Sequence, residues 1–201
     1  MFSEHPPKGY HYNEVKPMRV ITGSARGRKL ISPIGMDVRP TTDKVKEAVF
    51  SAIQFNIPDS YVLDLFAGSG QMGIEALSRG AARAFFIDSS KDSIKVITEN
   101  LRTTKLDKFS EVILRDSYDY ISLTTRTFDI IILDPPYRFG HIYKVLPLAA
   151  AKLNPGGIII CEYEADAAEP QPADGLILRK TYKYGKICVS IFCKPDSEDD
   201  K

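Results

Sequence analysis

From residue 61 onward the chain alternates short apolar runs with patterns of helical spacing. "YVLDLFA" (61–67) and "ARAFFIDS" (82–89) read as strands. Between them "SGQMGIEALSRG" spaces Ile74, Leu77 and the aliphatic part of Arg79 as a helix does and stops at Gly80. In "KDSIKVITENLRTTKL" the recurrence of Ile94, Ile97 and Leu101 predicts a second helix, capped by Asp92 or Ser93. "SEVILRDS" (110–117) is a third strand, followed by a short helix around "YDYISL". "TFDIIILD" is apolar almost throughout, as expected of a central strand covered on both faces. "IYKVLPLAAAKL" predicts a helix that Pro147 should kink or start later, and "NPGG" a turn into the strand "GIIICEY". "LILRKTYKYGKICVSIFC" divides at "YG" into an antiparallel hairpin. Strands alternating with helices predict an α/β fold with a mostly parallel sheet.

Ahead of this region, "MRVITGSARGRKLISPIG" alternates apolar residues around a basic, glycine-rich turn, which predicts a small β arm. "RPTTDKVKEAVFSAI" follows as a helix, with Thr41, Thr42 or Asp43 as its cap and Val45, Val49, Ala52 and Ile53 on one face. The expected divisions are a flexible extension (1–17), a basic β arm (18–38), the main domain (39–194) and an acidic tail (195–201).

With 201 residues, 43% of them apolar, the chain can fill the core of one domain. Its apolar runs fall short of the roughly 20 residues that a membrane helix needs, and the first residues lack the apolar middle of a secretory signal, so a cytoplasmic protein is expected. Cys161, Cys188 and Cys193 are odd in number and lack CxxC spacing, and His5, His11 and His141 are scattered. Reduced strand thiols and no metal are the expectation, with a monomer as the default. Net charge is +1, yet residues 16–48 hold eight basic side chains against three acidic ones, which fits a surface facing a polyanion as well as an ordinary solvated face.

Two motifs carry chemistry. "GSGQMG" (Gly68–Gly73) follows the first strand, and Asp88 lies twenty residues past Gly68 at the tip of the next. Glycines admit close backbone approach, a helix start favours negative charge, and a carboxylate at that tip can accept from ribose hydroxyls, so the loop points to a nucleoside ligand. Asp64 would repel a pyrophosphate but suits the cationic end of an amino acid or sulfonium ligand; capping the helix or ordering the loop is its alternative role. The second motif, Asp134-Pro135-Pro136-Tyr137, ends the most apolar strand. The amino group of a nucleobase is a poor nucleophile until two acceptors hold it. The Asp134 carboxylate, ionised at neutral pH if its pKa is the ordinary ~3.9, can take one N–H. The Pro135 carbonyl, stiffened by two prolines, can take the other, and Tyr137 can stack on the base. A plain turn after a strand is the bland alternative.

"DLFAGSG" (64–70) followed by "DPPY" (134–137) resembles the Rossmann-like amino-methyltransferases that use S-adenosyl-L-methionine. "MRVITGSARGRKL", "RPTTDKVKEAVFSAI", "GIEALSRGA" and "YGKICVSIF" resemble, more narrowly, the bacterial 16S ribosomal RNA guanine-N2 methyltransferases called RsmD, over about residues 18–194. The resemblance implies a mostly parallel seven-stranded sheet with a C-terminal antiparallel hairpin, and makes 39–194 a methyltransferase domain. It places Asp64, Phe66, Gly68 and Gly70 around the methionine part of the cofactor, Asp88 and Ser89 at the ribose, and Asp116 and Ser117 near the adenine. Asp134, Pro135, Pro136 and Tyr137 would present guanine N2, and Arg39, Pro40 and Thr41 would support the site. Arg26, Arg28, Lys29 and Arg39 are candidate contacts to RNA phosphates, and the small ribosomal subunit is the implied partner. A DNA adenine or cytosine target, or a non-catalytic RNA-binding assembly protein, are the alternatives. Gln71 and Met72 stand where smaller residues are common, and Asp88 where Glu is common.

Overall fold

The structure is a computed structural model that describes residues 18–33, 43–135, 141–173 and 175–195. Its elements are α1 (Asp43–Ala52), β1 (Tyr61–Asp64), α2 (Gln71–Ser78), β2 (Arg83–Asp88), α3 (Lys91–Thr104), β3 (Ser110–Leu114), α4 (Ser117–Leu123), β4 (Phe128–Leu133), α5 (His141–Ala151), β5 (Leu153–Glu164), β6 (Ile177–Tyr184) and β7 (Ile187–Cys193). They form a seven-stranded sheet of order β3-β2-β1-β4-β5-β7-β6. The first five strands in that order are parallel, and β7 runs antiparallel to both β5 and β6. This is the mostly parallel sheet with a terminal hairpin that the sequence predicts.

Side-chain alternation along the strands divides the core in two. Val62, Ile130, Ile132, Ile158 and Ile160 face α1, α2, α3 and the arm, whereas Leu63, Ile131, Leu133 and Ile159 face α4 and α5. The interior strand β4 is apolar on both sides because both sides are covered. The edge strand β6 instead carries Arg179, Lys180 and Lys183, charges that deter pairing with another chain. The chain winds outward from β1 to β3 and then crosses back to β4 beside β1, which makes their shared end the switch point of the sheet.

Several local expectations are corrected. Ser90, not Asp92 or Ser93, caps α3, its side chain accepting from the Ser93 amide, while Asp92 pairs with Lys95 at the surface. Ala52 is exposed and α1 buries Lys46 and Phe50 beside Val45 and Val49, because the arm covers one flank of the helix. Pro147 lies within α5 without delaying its start: it is on the exposed side, where water can serve the carbonyl left unpaired. "NPGG" belongs to β5 as an irregular stretch, held by Asn154 donating to Asp129 and by bonds between Gly156, Gly157 and Lys194. Among the described residues, no helix is long and apolar enough to cross a membrane. Cys161 and Cys188 are buried and Cys193 half-buried, all as free thiols.

The arm is a tight loop closed by one bridge, Arg19 to Lys29, with Val20 and Leu30 adding backbone bonds across it. It is fastened to α2 by polar groups. The Glu75 carboxylate, fully buried, accepts from the Ile21 and Thr22 amides, and the Ser78 hydroxyl donates to the Thr22 carbonyl and accepts from the Ala25 amide. Gly23 has φ +86°, and a Cβ there would lie 1.7 Å from the Ser78 carbonyl oxygen, so the arm seats on α2 only with glycine at this point. The Lys46 ammonium donates to the Arg19 carbonyl at 2.6 Å.

Candidate active site

Neighbouring strands β1 and β4 deliver both motifs to one end of the sheet. Asp64 closes β1 in register with Ile132, and Asp134 follows two residues later. The glycine loop leaves from the same edge: Leu65 donates to the Ile132 carbonyl and Ala67 to the Ile87 carbonyl. Gly68 and Gly70 adopt φ +54° and +76°, and Gly70 opens α2. A Cβ at Gly68 would meet nothing nearer than its own chain's Phe66 carbonyl at 4.0 Å, so the loop has open space above it. A Cβ at Gly73 would lie 2.4 Å from the Phe86 ring; this glycine lets α2 pack tightly on β2.

The carboxylates at this end have distinct surroundings. Asp64 is 2% exposed and accepts from the Gly73 amide at 2.9 Å. Burial raises its pKa to about 7, against the lowering effect of that amide and with a further rise from Asp88. Asp88 accepts from the Gly68 amide with one oxygen and the Ser90 amide with the other, both at 2.8 Å, and so ties the glycine loop to the tip of β2. Asp134 is half-buried. Burial first, then the negative charges of Glu162 and Asp64, hold its pKa well above the usual carboxylate range. The ordinary value expected from sequence therefore does not apply to it: a carboxyl at the end of a buried strand, next to two others, loses hydration and gains repulsion.

The remaining site residues divide into two groups. Asp116 caps α4, one oxygen accepting from the Tyr118 and Asp119 amides, and Ser117 is buried with its hydroxyl donating to the Leu65 carbonyl at 2.6 Å. Ser89 is exposed next to Asp88, Phe66 is half-buried, and Pro135 is buried beside Asp134. These all lie at the strand ends that surround the glycine loop. Arg26, Arg28 and Lys29 are exposed on the arm. Arg39, Pro40, Thr41, Pro136 and Tyr137 lie outside the described residues. Glu75, Ser78, Asn100 and Glu162 are buried polar residues that sequence reasoning passed over. For Asn100 a signal existed: with Ser93, Ile97 and Thr104 it recurs at helical spacing on the buried face of α3.

Comparison with known proteins bears on the family and the fold. The family described as Conserved hypothetical protein 95 matches residues 18–193. The chain is 37% identical over 177 residues to the ribosomal RNA small subunit methyltransferase D of Escherichia coli K12, covering 87% of this chain and 89% of that one. A solved structure of the candidate methyltransferase yhhF from Escherichia coli superposes with a TM-score of 0.80 at 31% identity, covering 89% of this chain and 98% of that chain. The candidate methyltransferase SMU.776, solved with SAH bound, shares the fold at a TM-score of 0.60 and 16% identity, over 72% of this chain and 49% of that chain. The family match over residues 18–193, with the identity to its relatives, establishes that the chain belongs to the Conserved hypothetical protein 95 family, the RsmD family of methyltransferases.

Proposed function

We propose that the chain methylates the exocyclic N2 of a guanine in 16S ribosomal RNA, on an assembled or partly assembled small subunit, with S-adenosyl-L-methionine as donor. The observation that carries the proposal is the meeting of the glycine loop and Asp134-Pro135 at the adjoining ends of β1 and β4. The donor fits the residues present. Open space lies over Gly68, Asp88 is fixed at the tip of the second strand, and one oxygen of Asp116 is left for a further contact beyond its cap bonds. S-adenosyl-L-methionine supplies a methyl group on a sulfonium centre. Asp64, Phe66, Gly68 and Gly70 would hold its methionine part, Asp88 and Ser89 its ribose, and Asp116 and Ser117 its adenine side, with Thr41 a further cofactor contact.

Asp134 and the Pro135 carbonyl would each accept one N–H of the guanine amine and aim its lone pair, while Pro136 stiffens the turn and Tyr137 stacks on the base. The methylated nitrogen must then lose a proton. Asp134 and water are the two acceptors within reach of that nitrogen, and Asp134 can serve only while ionised, a state that burial and Glu162 disfavour. Arg26, Arg28, Lys29 and Arg39 would contact phosphates and steer RNA without specifying sequence. The test is transfer of labelled methyl to small subunits lacking the modification, with duplex DNA in parallel, followed by mass analysis of the nucleosides. N2-methylguanosine from the subunit is expected, and label confined to DNA would defeat the proposal.

A further inference from the structure

Both ends of the basic arm converge on one residue of the glycine loop. At the arm's start, the Ser69 hydroxyl donates to the Met18 sulfur at 3.4 Å. At its end stands Ile31, whose amide donates to Asn100 Oδ1 and whose carbonyl accepts from Asn100 Nδ2, each at 2.9 Å. The same Nδ2 donates its other hydrogen to the Ser69 carbonyl, also at 2.9 Å. Asn100 is 2% exposed although Ile31 is 52% exposed, so these bonds are buried on the Asn100 side, and losing one would strand a polar atom of that buried amide. The neighbouring turn of α3 touches the loop as well: a Cβ on Gly70 would come within 3.3 Å of Ile97. Between its two tethered ends the arm exposes Arg26, Arg28 and Lys29 and is clamped to α2 by Glu75 and Ser78. The arm therefore cannot shift without moving either Asn100 or the loop.

We infer that Asn100 is a positioning residue that couples the arm to the glycine loop, so that RNA held on the arm and methyl donor held on the loop raise each other's affinity. The inference rests on the RNA-methylation proposal above. Gly68 and Gly70 hold left-handed backbone, a loop conformation selected by its tethers, of which the Asn100 bond to Ser69 is one. RNA that fixes the arm fixes Ile31 and, through one side-chain amide, Ser69; the second ligand then meets a loop held more firmly at that tether. Thermodynamic linkage requires the same factor in the reverse direction.

The experiment is calorimetric titration of S-adenosylhomocysteine into the full chain, with and without saturating small subunits that lack the modification. Wild type is expected to bind it about fivefold more tightly when RNA is present, within the usual range for coupled sites. Asn100→Ala is expected to bring that ratio to about one, and Asn100→Asp, which keeps the acceptor for Ile31 but loses both donors, should do the same. A merely structural amide would lower the melting temperature and weaken both ligands while leaving the ratio intact, and that result would overturn the inference. So would a wild-type ratio of one. Should the Asn100 variants fail to fold, Ser69→Ala, which frees only the Met18 end, is expected to reduce the ratio, and an unchanged value would count against coupling. Methylated RNA with no coupling defeats this inference alone, whereas failure to bind or methylate small-subunit RNA defeats the proposal on which it rests.

Discussion

Asp64 and Asp134 stand at the ends of adjacent central strands on the same side of the sheet, yet one is sealed into the fold and the other is only half-buried. Asp64 is enclosed and gives an oxygen to the Gly73 amide, fixing α2 against the glycine loop. Asp134 is half-buried, and burial, Glu162 and Asp64 all raise its pKa. A buried carboxylate that anchors backbone supports the scaffold whatever else it meets, and Asp64 would reach the methyl donor only from within that scaffold. A carboxylate held uncomfortably at an open strand end is available for a ligand to stabilise.

The sharpest way to break this comparison is Asp134→Ala. Removing a preorganised acceptor from the reacting nitrogen is expected to cut methyl transfer by roughly 10²–10³-fold. The scaffold would lose nothing, since the group it loses is destabilised where it stands; the melting temperature should be unchanged or raised, and affinity for S-adenosylhomocysteine nearly constant. Single-turnover kinetics, calorimetry and thermal unfolding measure the three. Unchanged turnover would remove Asp134 from the chemistry, and a large fall in melting temperature would give it an anchoring role in the fold, as Asp64 has at Gly73.

Asp64→Asn tests the other half. A carboxyl whose folded pKa is about 7 against an ordinary 3.8 binds protons more readily in the folded state than in the unfolded one. Stability therefore falls as pH rises from about 4 to about 7 and levels off above, by a few kcal/mol for a shift of this size. Asparagine keeps an oxygen for the Gly73 amide but has no proton to lose. The variant should show a clearly flatter decline in urea unfolding across that range, with the slope from Asp134 remaining. An identical slope in both proteins would mean that Asp64 does not titrate between these limits.

The comparison also marks what could be read from residues alone. "DLFAGSG" and "DPPY" identified the two strand ends, because glycines, prolines and carboxylates placed after apolar runs have few other uses. The mostly parallel sheet and its terminal hairpin followed from the alternation of apolar runs with helical spacing, whereas the order of strands within the sheet, set by contacts far apart in the chain, did not. The unequal surroundings of the two aspartates were not legible, because a raised pKa is set by what packs around a group. Asp134 owes part of its shift to Glu162, which is brought alongside only by the pairing of β4 with β5. Glu75 and Asn100 escaped for a related reason. Glu75 meets Ile21 and Thr22 across separations of 54 and 53 residues, and Asn100 meets Ile31 across 69, contacts that no local spacing encodes.

The smallest expected effect lies just below the two carboxylates. Ser117 is buried and its hydroxyl donates to the Leu65 carbonyl at 2.6 Å, tying the start of α4 to the residue that follows Asp64. Ser117→Ala removes that donor and leaves a buried carbonyl with one partner fewer, a loss of about 1 kcal/mol by urea unfolding. If the hydroxyl serves only the scaffold, affinity for S-adenosylhomocysteine stays within about twofold, since RT at 25 °C makes each factor of two only about 0.4 kcal/mol. If it also touches the ligand on the adenine side, affinity falls by considerably more than stability does. Measuring both quantities on one variant assigns Ser117 either to the framework around Asp64 or to the binding surface that Asp134 serves.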